Sequence, residues 1–426
     1  MVRRTEQILK ARAGKVIPNG MYGHQSVRLL PESFPQFFNR ADGAYLWDSD
    51  NTRYLDLMCA YGPNLLGYRE PRVEAAVARQ MALGDTMTGP SPLIVDLAET
   101  LVAMISHADW AIFCKNGTDA TTMAMTVARA ETRRRKILVA AGAYHGSAPW
   151  CTPVPAGTLA EDRAHLISYV YNDIESLEAA AAMAGDDLAG IFATPFKHDA
   201  FQDQALADPD YARRARAICD AKGAMLIVDD VRAGFRLARD CSWSTIGVEP
   251  DLSCWGKSFA NGYPISALLG SDSCRAGAGA IYMTGSFWYS AVPMAAALET
   301  LKILRETDYL EHMARLGERL RSGLAAQAGA QGFSLRQTGP AQMPQILFAD
   351  DPDLRLGFGF AENMLARGIY MHPWHNMFLC AAMSEDDIEF ALTAAGAAFA
   401  DLAAVRATLK PHPVVSAMMK SRAAHA

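Results

Sequence analysis

The pattern of the chain predicts an α/β protein, with a large domain on a mostly parallel central sheet followed by a small α+β C-terminal domain. Three observations carry this. Apolar β-branched runs alternate with helical stretches from about residue 70 to residue 300, which calls for crossover connections between parallel strands. The runs are apolar throughout, without the alternation of a half-solvated strand, so the sheet should be covered on both faces. Beyond residue 300 one long helical stretch precedes short strand candidates.

Residues 1–60 read as an N-terminal arm, part of it belonging to the small domain. Met21 to Pro35 is rich in Gly, Pro and Ser and has no sustained period. Tyr45–Asp48 and Arg53–Asp56 flank a turn-like Ser-Asp-Asn and suggest a short hairpin. In the large domain, residues 61–300, strands are expected at Trp110–Cys114, Lys136–Ala140, Ile167–Tyr171, Gly190–Ala193, Met225–Val228, Leu252–Trp255 and Ile265–Leu269. Helices are expected between them at Ala120–Thr132, Ile174–Ala184 and Tyr211–Ala221. In the small domain, residues 301–426, a long helix is expected over Leu301–Gln327, a strand over Gln345–Phe348, and a last helix over Ile388–Leu402 after the acidic Glu385-Asp386-Asp387.

Composition limits the function. The 426 residues are half hydrophobic and one fifth charged, with a net charge of −6 spread along the chain, which gives no electrostatic case for nucleic acid. The basic run Arg133-Arg134-Arg135-Lys136 reads as a solvated loop entering a strand. Eight cysteines are scattered without a Cys-x-x-Cys pair, so zinc and thioredoxin-like spacing is absent and buried, reduced thiols of a cytoplasmic protein are expected. No apolar signal-peptide core comes after Met1-Val2-Arg3-Arg4, and no stretch is expected to reach the length of a membrane span.

The strand ends are the informative positions, because ligands of parallel sheets bind beyond the carboxyl ends of the strands. Phe113-Cys114 leads to Asn116-Gly117-Thr118, Val139-Ala140 to Tyr144-His145-Gly146, Ile227-Val228 to Asp229-Asp230-Val231, and Cys254-Trp255 to Gly256-Lys257. Asn116, Gly117 and Thr118 open a helix whose free N–H groups can hold a phosphate, or they are simply a cap with a turn glycine. Asp229 can hold the protonated nitrogen of a pyridine ring, or serve as a structural carboxylate. Tyr144 can stack on such a ring or be a core aromatic. Lys257 can form an imine or be a surface lysine. Taken together, in this order on successive strands, they point to a phosphorylated pyridine aldehyde, pyridoxal 5'-phosphate.

This ordered set resembles the class III aminotransferases, pyridoxal-phosphate enzymes of fold type I, and most of all the branch containing glutamate-1-semialdehyde aminomutase. Ser26-Val27-Arg28 is similar to that branch's Ser-Pro-Val-Arg, and Tyr61-Gly62-Pro63 to its Trp-Gly-Pro. Asn116-Gly117-Thr118-Asp119-Ala120 stands for Ser-Gly-Thr-Glu-Ala, and Asp229-Asp230-Val231-Arg232-Ala233-Gly234-Phe235-Arg236 for Asp-Glu-Val-x-x-Gly-Phe-Arg. Tyr144-His145-Gly146, Tyr171-Asn172-Asp173, Gly256-Lys257 and Gly285-Ser286-Phe287 also match or are similar.

The resemblance implies that Lys257 carries the cofactor as a Schiff base, Asp229 pairs with the pyridinium, Val231 backs the ring and Tyr144 stacks on it. It implies a homodimer in which Ser286 of the neighbouring subunit helps Gly117 and Thr118 bind the phosphate. Arg236 is read as structural. Departures lie on the substrate side: Thr194 stands where the family has Glu, Ser258–Pro264 replaces a glycine-rich tail, and Trp288-Tyr289 replaces small polar residues. Met21–His24, Cys59–Pro63, Gly84–Gly89 and Arg239–Trp243 are similar to the transaminases of bacterial fumonisin breakdown, which deaminate hydrolysed fumonisin, a long-chain amino polyol, with pyruvate as acceptor.

The expected activity is therefore transfer of an amino group from an amine donor to pyruvate or another keto acid. Lys257 would act as general base and acid. Arg28 is the candidate for the acceptor carboxylate, with an arm-anchoring salt bridge as its other role. Tyr61, Trp288, Tyr289, His372 and Trp374 are candidate lining on the donor side. The proline between His372 and His375 speaks against a helical metal site, and no metal is expected. A 2,1-aminomutase is the alternative. A racemase, a decarboxylase and a non-catalytic binding protein on the same fold are further options.

Overall fold

The computed structural model describes residues 4–198 and 201–423. The chain begins with helix α1 (Arg4–Val16), and then strands β1 (Phe38–Asp42), β2 (Tyr45–Asp48) and β3 (Arg53–Asp56) form an antiparallel meander. Helix α1 was not legible in the sequence. It is polar, and its anchor is one buried carboxylate: Glu6 accepts from Gln36 N (2.6 Å) and Ser49 Oγ (2.9 Å).

Helices α2 (Pro71–Met81) and α3 (Leu93–Met104) lead to β4 (Trp110–Cys114), α4 (Gly117–Thr132), β5 (Lys136–Ala140), β6 (Leu166–Tyr169), α5 (Ile174–Ala184) and β7 (Leu188–Ala193). A small antiparallel pair comes next, β8 (Phe196–Lys197) with β9 (Ala205–Leu206), then α6 (Pro209–Lys222), β10 (Met225–Asp229), β11 (Leu252–Trp255), β12 (Ser266–Gly270) and α7 (Arg275–Ala280). The main sheet has the order β4-β12-β11-β10-β7-β5-β6. All its neighbours are parallel except β12, which runs against both β11 and β4. Two reversals restore direction, so β4, β5, β10 and β11 all end at the same edge. All six residues of β7 are buried, as expected for a strand covered on both faces.

The expected helix over Leu301–Gln327 is corrected to two, α8 (Ala291–Glu306) and α9 (Tyr309–Ala330). No Gly or Pro marks the break. The buried stripe Ala297, Leu301, Leu304 would continue at position 308, which is Asp, and resumes one residue later at Tyr309, Met313 and Leu316. That one-residue slip forces a new helix with its own axis. The hydroxyl of Tyr309 donates to Phe235 O, fixing the new start (2.9 Å).

A hairpin, β13 (Leu335–Thr338) with β14 (Gln345–Phe348), precedes α10 (Arg355–Ala366) and β15 (Ile369–Tyr370), which pairs in parallel with β3. The N-terminal meander and the C-terminal part of the chain therefore share one sheet. Helices α11 (Glu385–Val405) and α12 (Pro413–Ala423) complete the chain. The expectation that no stretch reaches the length of a membrane span is also corrected, because Glu385–Thr408 is long and apolar enough by length and composition. In the fold this segment starts at a Ser384/Asp387 capping box, and Ile388, Ala391, Ala395, Phe399 and Leu402 pack into the core beside α9 and α10.

The basic run is a loop entering β5, as expected, with Arg133 and Arg135 exposed and the side chains of Arg134 and Arg135 anchored. Arg134 Nη1 donates to Leu188 O (3.1 Å) and Lys222 O (2.5 Å), and Arg135 pairs with Asp187 (2.9 Å). The eight cysteines are free thiols, seven buried and Cys151 half-buried.

Candidate functional site

The site lies along the edge where β4, β5, β10 and β11 end. After β4, Asn116 caps α4: its side chain accepts from Asp119 N (3.1 Å), and Asp119 accepts in return from Asn116 N (3.2 Å). Asn116 is thus engaged in a capping box, and the N–H groups of Gly117 and Thr118 begin the helix without intrahelical acceptors. A side chain at Gly117 has no room, since a Cβ there would lie 2.7 Å from Val231 Cγ1. Thr118 Oγ1 accepts from Ser147 N (3.1 Å), and Thr121 donates to His145 O (2.7 Å), tying α4 to the turn after β5.

That turn carries Tyr144 and His145. Tyr144 is 43% exposed, so it is not a core aromatic. His145 is buried against Phe192 (ring centroids 4.8 Å apart), and its Nδ1–H donates to Asp229 Oδ2 (2.7 Å). The other carboxylate oxygen of Asp229 accepts from Val231 N (3.2 Å). The carboxylate at the end of β10 is therefore held at both oxygens. Its neighbour Asp230 points away, accepts from Ser242 N (2.9 Å), and is pushed up to about 6 by burial, which outweighs its Ser242 hydrogen bonds. Of the acidic pair, only Asp229 faces the site.

Lys257 comes directly after β11 and Gly256, with a left-handed backbone, φ +48°, a conformation that costs a non-glycine residue about 1 kcal/mol and is found at functional sites. It is not a surface lysine. Its amine is lowered to about 7, first by burial and then by Arg232, while Asp229 opposes the shift. Across from it, Cys59, Ala60 and Tyr61 all have positive φ (45°, 54° and 62°), and Gly62 continues the turn at 114°. This left-handed turn sets Tyr61 between His24 and His375, edge-on at 4.9 and 5.3 Å. Burial, then Asp56, raises the Tyr61 phenol to about 12. Arg236 is fully buried and holds the turn, donating to Gly62 O (2.8 Å), Asn64 O (3.3 Å) and Leu379 O. Its expected structural role therefore has a defined geometry.

Three expected residues stand apart. Arg28 is exposed on the turn Val27–Leu29, although its neighbours Ser26 and Val27 line a cavity of about 150 Å³ beside Tyr61. Ser286 is exposed, and among the described residues no hydrogen bond joins it to the Lys257 cluster. Trp288 is partly buried and packs on the apolar cluster that also carries Val231. Thr194, where the family has Glu, donates its hydroxyl to Phe196 O (3.1 Å) and closes the turn after β7.

Sequence reasoning gave no role to His145 or Arg232. His145 could have been found from its place beside Tyr144 on a strand-end turn. Arg232 could have been found from its place directly after Val231.

A helix start with free N–H groups, a Gly117 backbone lying directly against Val231, a doubly held carboxylate and an enclosed amine surround one space. These features fit a phosphorylated pyridine aldehyde: phosphate at Gly117 and Thr118, ring against Val231, ring nitrogen at Asp229, and carbonyl carbon at Lys257.

Residues 31–378 match the family described as aminotransferase class-III. The chain is 60% identical to an aminopentol aminotransferase of Sphingopyxis macrogoltabida, covering 96% of both chains. The solved FumI protein of Sphingopyxis sp. MTA144, in its PLP internal aldimine form, superposes with a TM-score of 0.96 at 59% identity, over 97% of this chain and 100% of that one. A glutamate-1-semialdehyde 2,1-aminomutase of Syntrophobacter fumaroxidans is 31% identical over 94% of this chain and 98% of its own length.

Proposed function

Since the chain belongs to the class III aminotransferases, pyridoxal-phosphate enzymes of fold type I, we propose that it transfers the amino group of a long-chain amino polyol, such as hydrolysed fumonisin, to pyruvate or a similar small keto acid. The observation that carries the choice of donor is the 60% identity with an aminopentol aminotransferase over 96% of both chains. The aminomutase alternative has 31% identity behind it, and no feature of the site favours it.

Bound pyridoxal phosphate supplies an electron-withdrawing ring that lets the amine-bearing carbon of a substrate lose a proton. Lys257 Nζ, lowered to about 7, is available as a base near neutral pH and takes up that proton, then returns it. Asp229, held by His145 and Val231 N, remains an acceptor in fixed orientation, suited to a protonated ring nitrogen. Val231 packs directly on the Gly117 backbone, so the wall behind the ring runs on into the phosphate turn, and Tyr144 covers the open face. Gly117 and Thr118 N–H groups hold the phosphate, with Asn116 fixing the helix start that aims them. Tyr61, Trp288 and Arg28 are the proposed substrate contacts on the outer side.

Ser286 joins the phosphate site from a second copy, in a cytoplasmic homodimer. The exposed Tyr282 and Phe287 beside it are 89% and 61% accessible on the single chain, and suit burial against that copy. Domain limits near residues 60 and 300 are part of the same proposal.

The test is a panel of amine donors, including a long-chain amino polyol and β-amino acids, assayed with and without pyruvate. Alanine formed in step with amine consumption is the expected result. An isomerised amine appearing without pyruvate, and without alanine, would sink it in favour of a mutase.

A further inference from the structure

Two arginines flank the Lys257 amine, Arg236 fully buried and Arg232 half-buried, and they differ in how their donors are used. Arg236 spends its donors on the backbone carbonyls of Gly62, Asn64 and Leu379. Arg232 uses only Nη1, which donates to Asn376 Oδ1 (2.6 Å) and, at 3.4 Å, to His375 Nε2. The His375 tautomer agrees, because its Nδ1 is 2.7 Å from Asn376 O and donates there, leaving Nε2 as acceptor. Arg232 Nε is buried without a partner. Among the described residues no carboxylate bonds to Arg232, and the nearest, Asp229, already serves His145 and Val231 N.

Burial holds this guanidinium at about 10, against the opposing influence of Tyr144 and Asp229. It remains a cation at neutral pH, and its charge acts on Lys257, His24, His198 and His375 together. The cation thus stands inside the site, with Nη1 anchored and the Nε–Nη2 edge left over. That edge matches the two oxygens of a carboxylate, side by side.

We infer that Arg232 is the specificity-determining residue for the acceptor: its Nε–Nη2 edge binds the carboxylate of the keto acid. This rests on the aminotransferase reading above and adds the chemical class that the inner site selects. An amino polyol brings no carboxylate, so Arg232 is left to its Asn376 and His375 contacts while the donor is bound. The keto acid fills the free edge in the second half of the cycle. Arg28, exposed on its turn, lies outside this contact.

The experiment uses the cofactor-loaded enzyme and its Arg232→Met, Arg232→Lys and Arg28→Ala variants. Each half of the cycle is monitored separately by cofactor absorbance, with pyruvate and uncharged propanal as alternative acceptors. Acetate, a non-reacting carboxylate, is titrated as a direct binding probe. Arg232→Met should raise the pyruvate KM about 10–100-fold, the loss of a bidentate charged contact. Losing the charge that lowers Lys257 should alter the amine half-reaction and propanal turnover to a common extent, so the preference for pyruvate over propanal should fall about 10–100-fold. Acetate binding should be lost in Arg232→Met and partly kept in Arg232→Lys, whose charge lacks the fork.

Equal losses with pyruvate and propanal, or loss of the cofactor from both Arg232 variants, would assign the guanidinium to the cofactor and overturn the inference. So would a pyruvate-selective defect in Arg28→Ala with none in Arg232→Met. If the parent enzyme shows no amine-dependent absorbance change at all, it is the aminotransferase reading that fails.

Discussion

Replacing Lys257 by Met in the cofactor-free protein is expected to stabilise it, and to do so in a pH-dependent way. The amine drops from 10.5 in the unfolded chain to about 7 in the fold, chiefly through burial. Between those values the unfolded chain binds a proton that the folded chain does not, so the lysine opposes folding. The penalty is absent above pH 10.5, grows as pH falls, and levels off below about 7. At about 1.4 kcal/mol for each tenfold change in proton affinity, the full drop amounts to about 5 kcal/mol, of which about 4 bears at pH 7. Methionine fills a similar volume and carries no charge, so the variant escapes the penalty. Urea midpoints of the two apo proteins, measured from about pH 7 to about pH 10, should show a gap that narrows steadily as pH rises. A gap that is flat with pH, or a parent that is the more stable at neutral pH, would refute the burial of an essentially neutral amine. In the loaded enzyme the same substitution should abolish turnover.

Three further outcomes rest on the geometry. His145→Phe leaves Asp229 with only the Val231 N–H, so cofactor affinity should fall about 10–100-fold while the fold persists; equilibrium dialysis that finds unchanged affinity would show that His145 does not orient the carboxylate. Gly117→Ala drives a methyl group to 2.7 Å from Val231, so one of the two must shift; it should weaken cofactor binding at least about tenfold and cost about 1–3 kcal/mol of apo stability; dialysis and urea unfolding of the same variant check both halves. Arg236→Met strips the carbonyls of Gly62, Asn64 and Leu379 of their donor and should cost about 3–5 kcal/mol in urea unfolding; a loss of activity without loss of stability would mean that Arg236 acts on substrate instead.

Much of this site is legible in the sequence. The strand ends that carry Asn116, Tyr144, Asp229 and Lys257 are marked by local signals, an apolar run breaking into Gly and polar residues, and those signals depend only on neighbours in the chain. The hairpin Tyr45–Asp48 with Arg53–Asp56 matches residue for residue for the same reason. Helix α1 escapes such a reading because it depends on a distant contact, Glu6 with Ser49, and the break between α8 and α9 because it lies in a one-residue slip of the apolar stripe that no Gly or Pro marks.

By itself, then, the order of residues determined the α/β architecture and which residues close its strand ends, Asn116, Tyr144, Asp229 and Lys257 among them. Periodicity and turn chemistry are short-range, and they survive in a one-dimensional pattern. Only the tertiary structure decided which of Asp229 and Asp230 faces the slot, that His145 holds it, and that Tyr61 rides on a left-handed turn beside Lys257. It also separated Arg232 from Arg236, four residues apart in one motif. The difference between a structural guanidinium and one with a free edge lies in which carbonyls fold up against it, Gly62 and Leu379 for one and none for the other. Donor satisfaction of that kind is settled across more than a hundred residues of chain, beyond the reach of any local pattern.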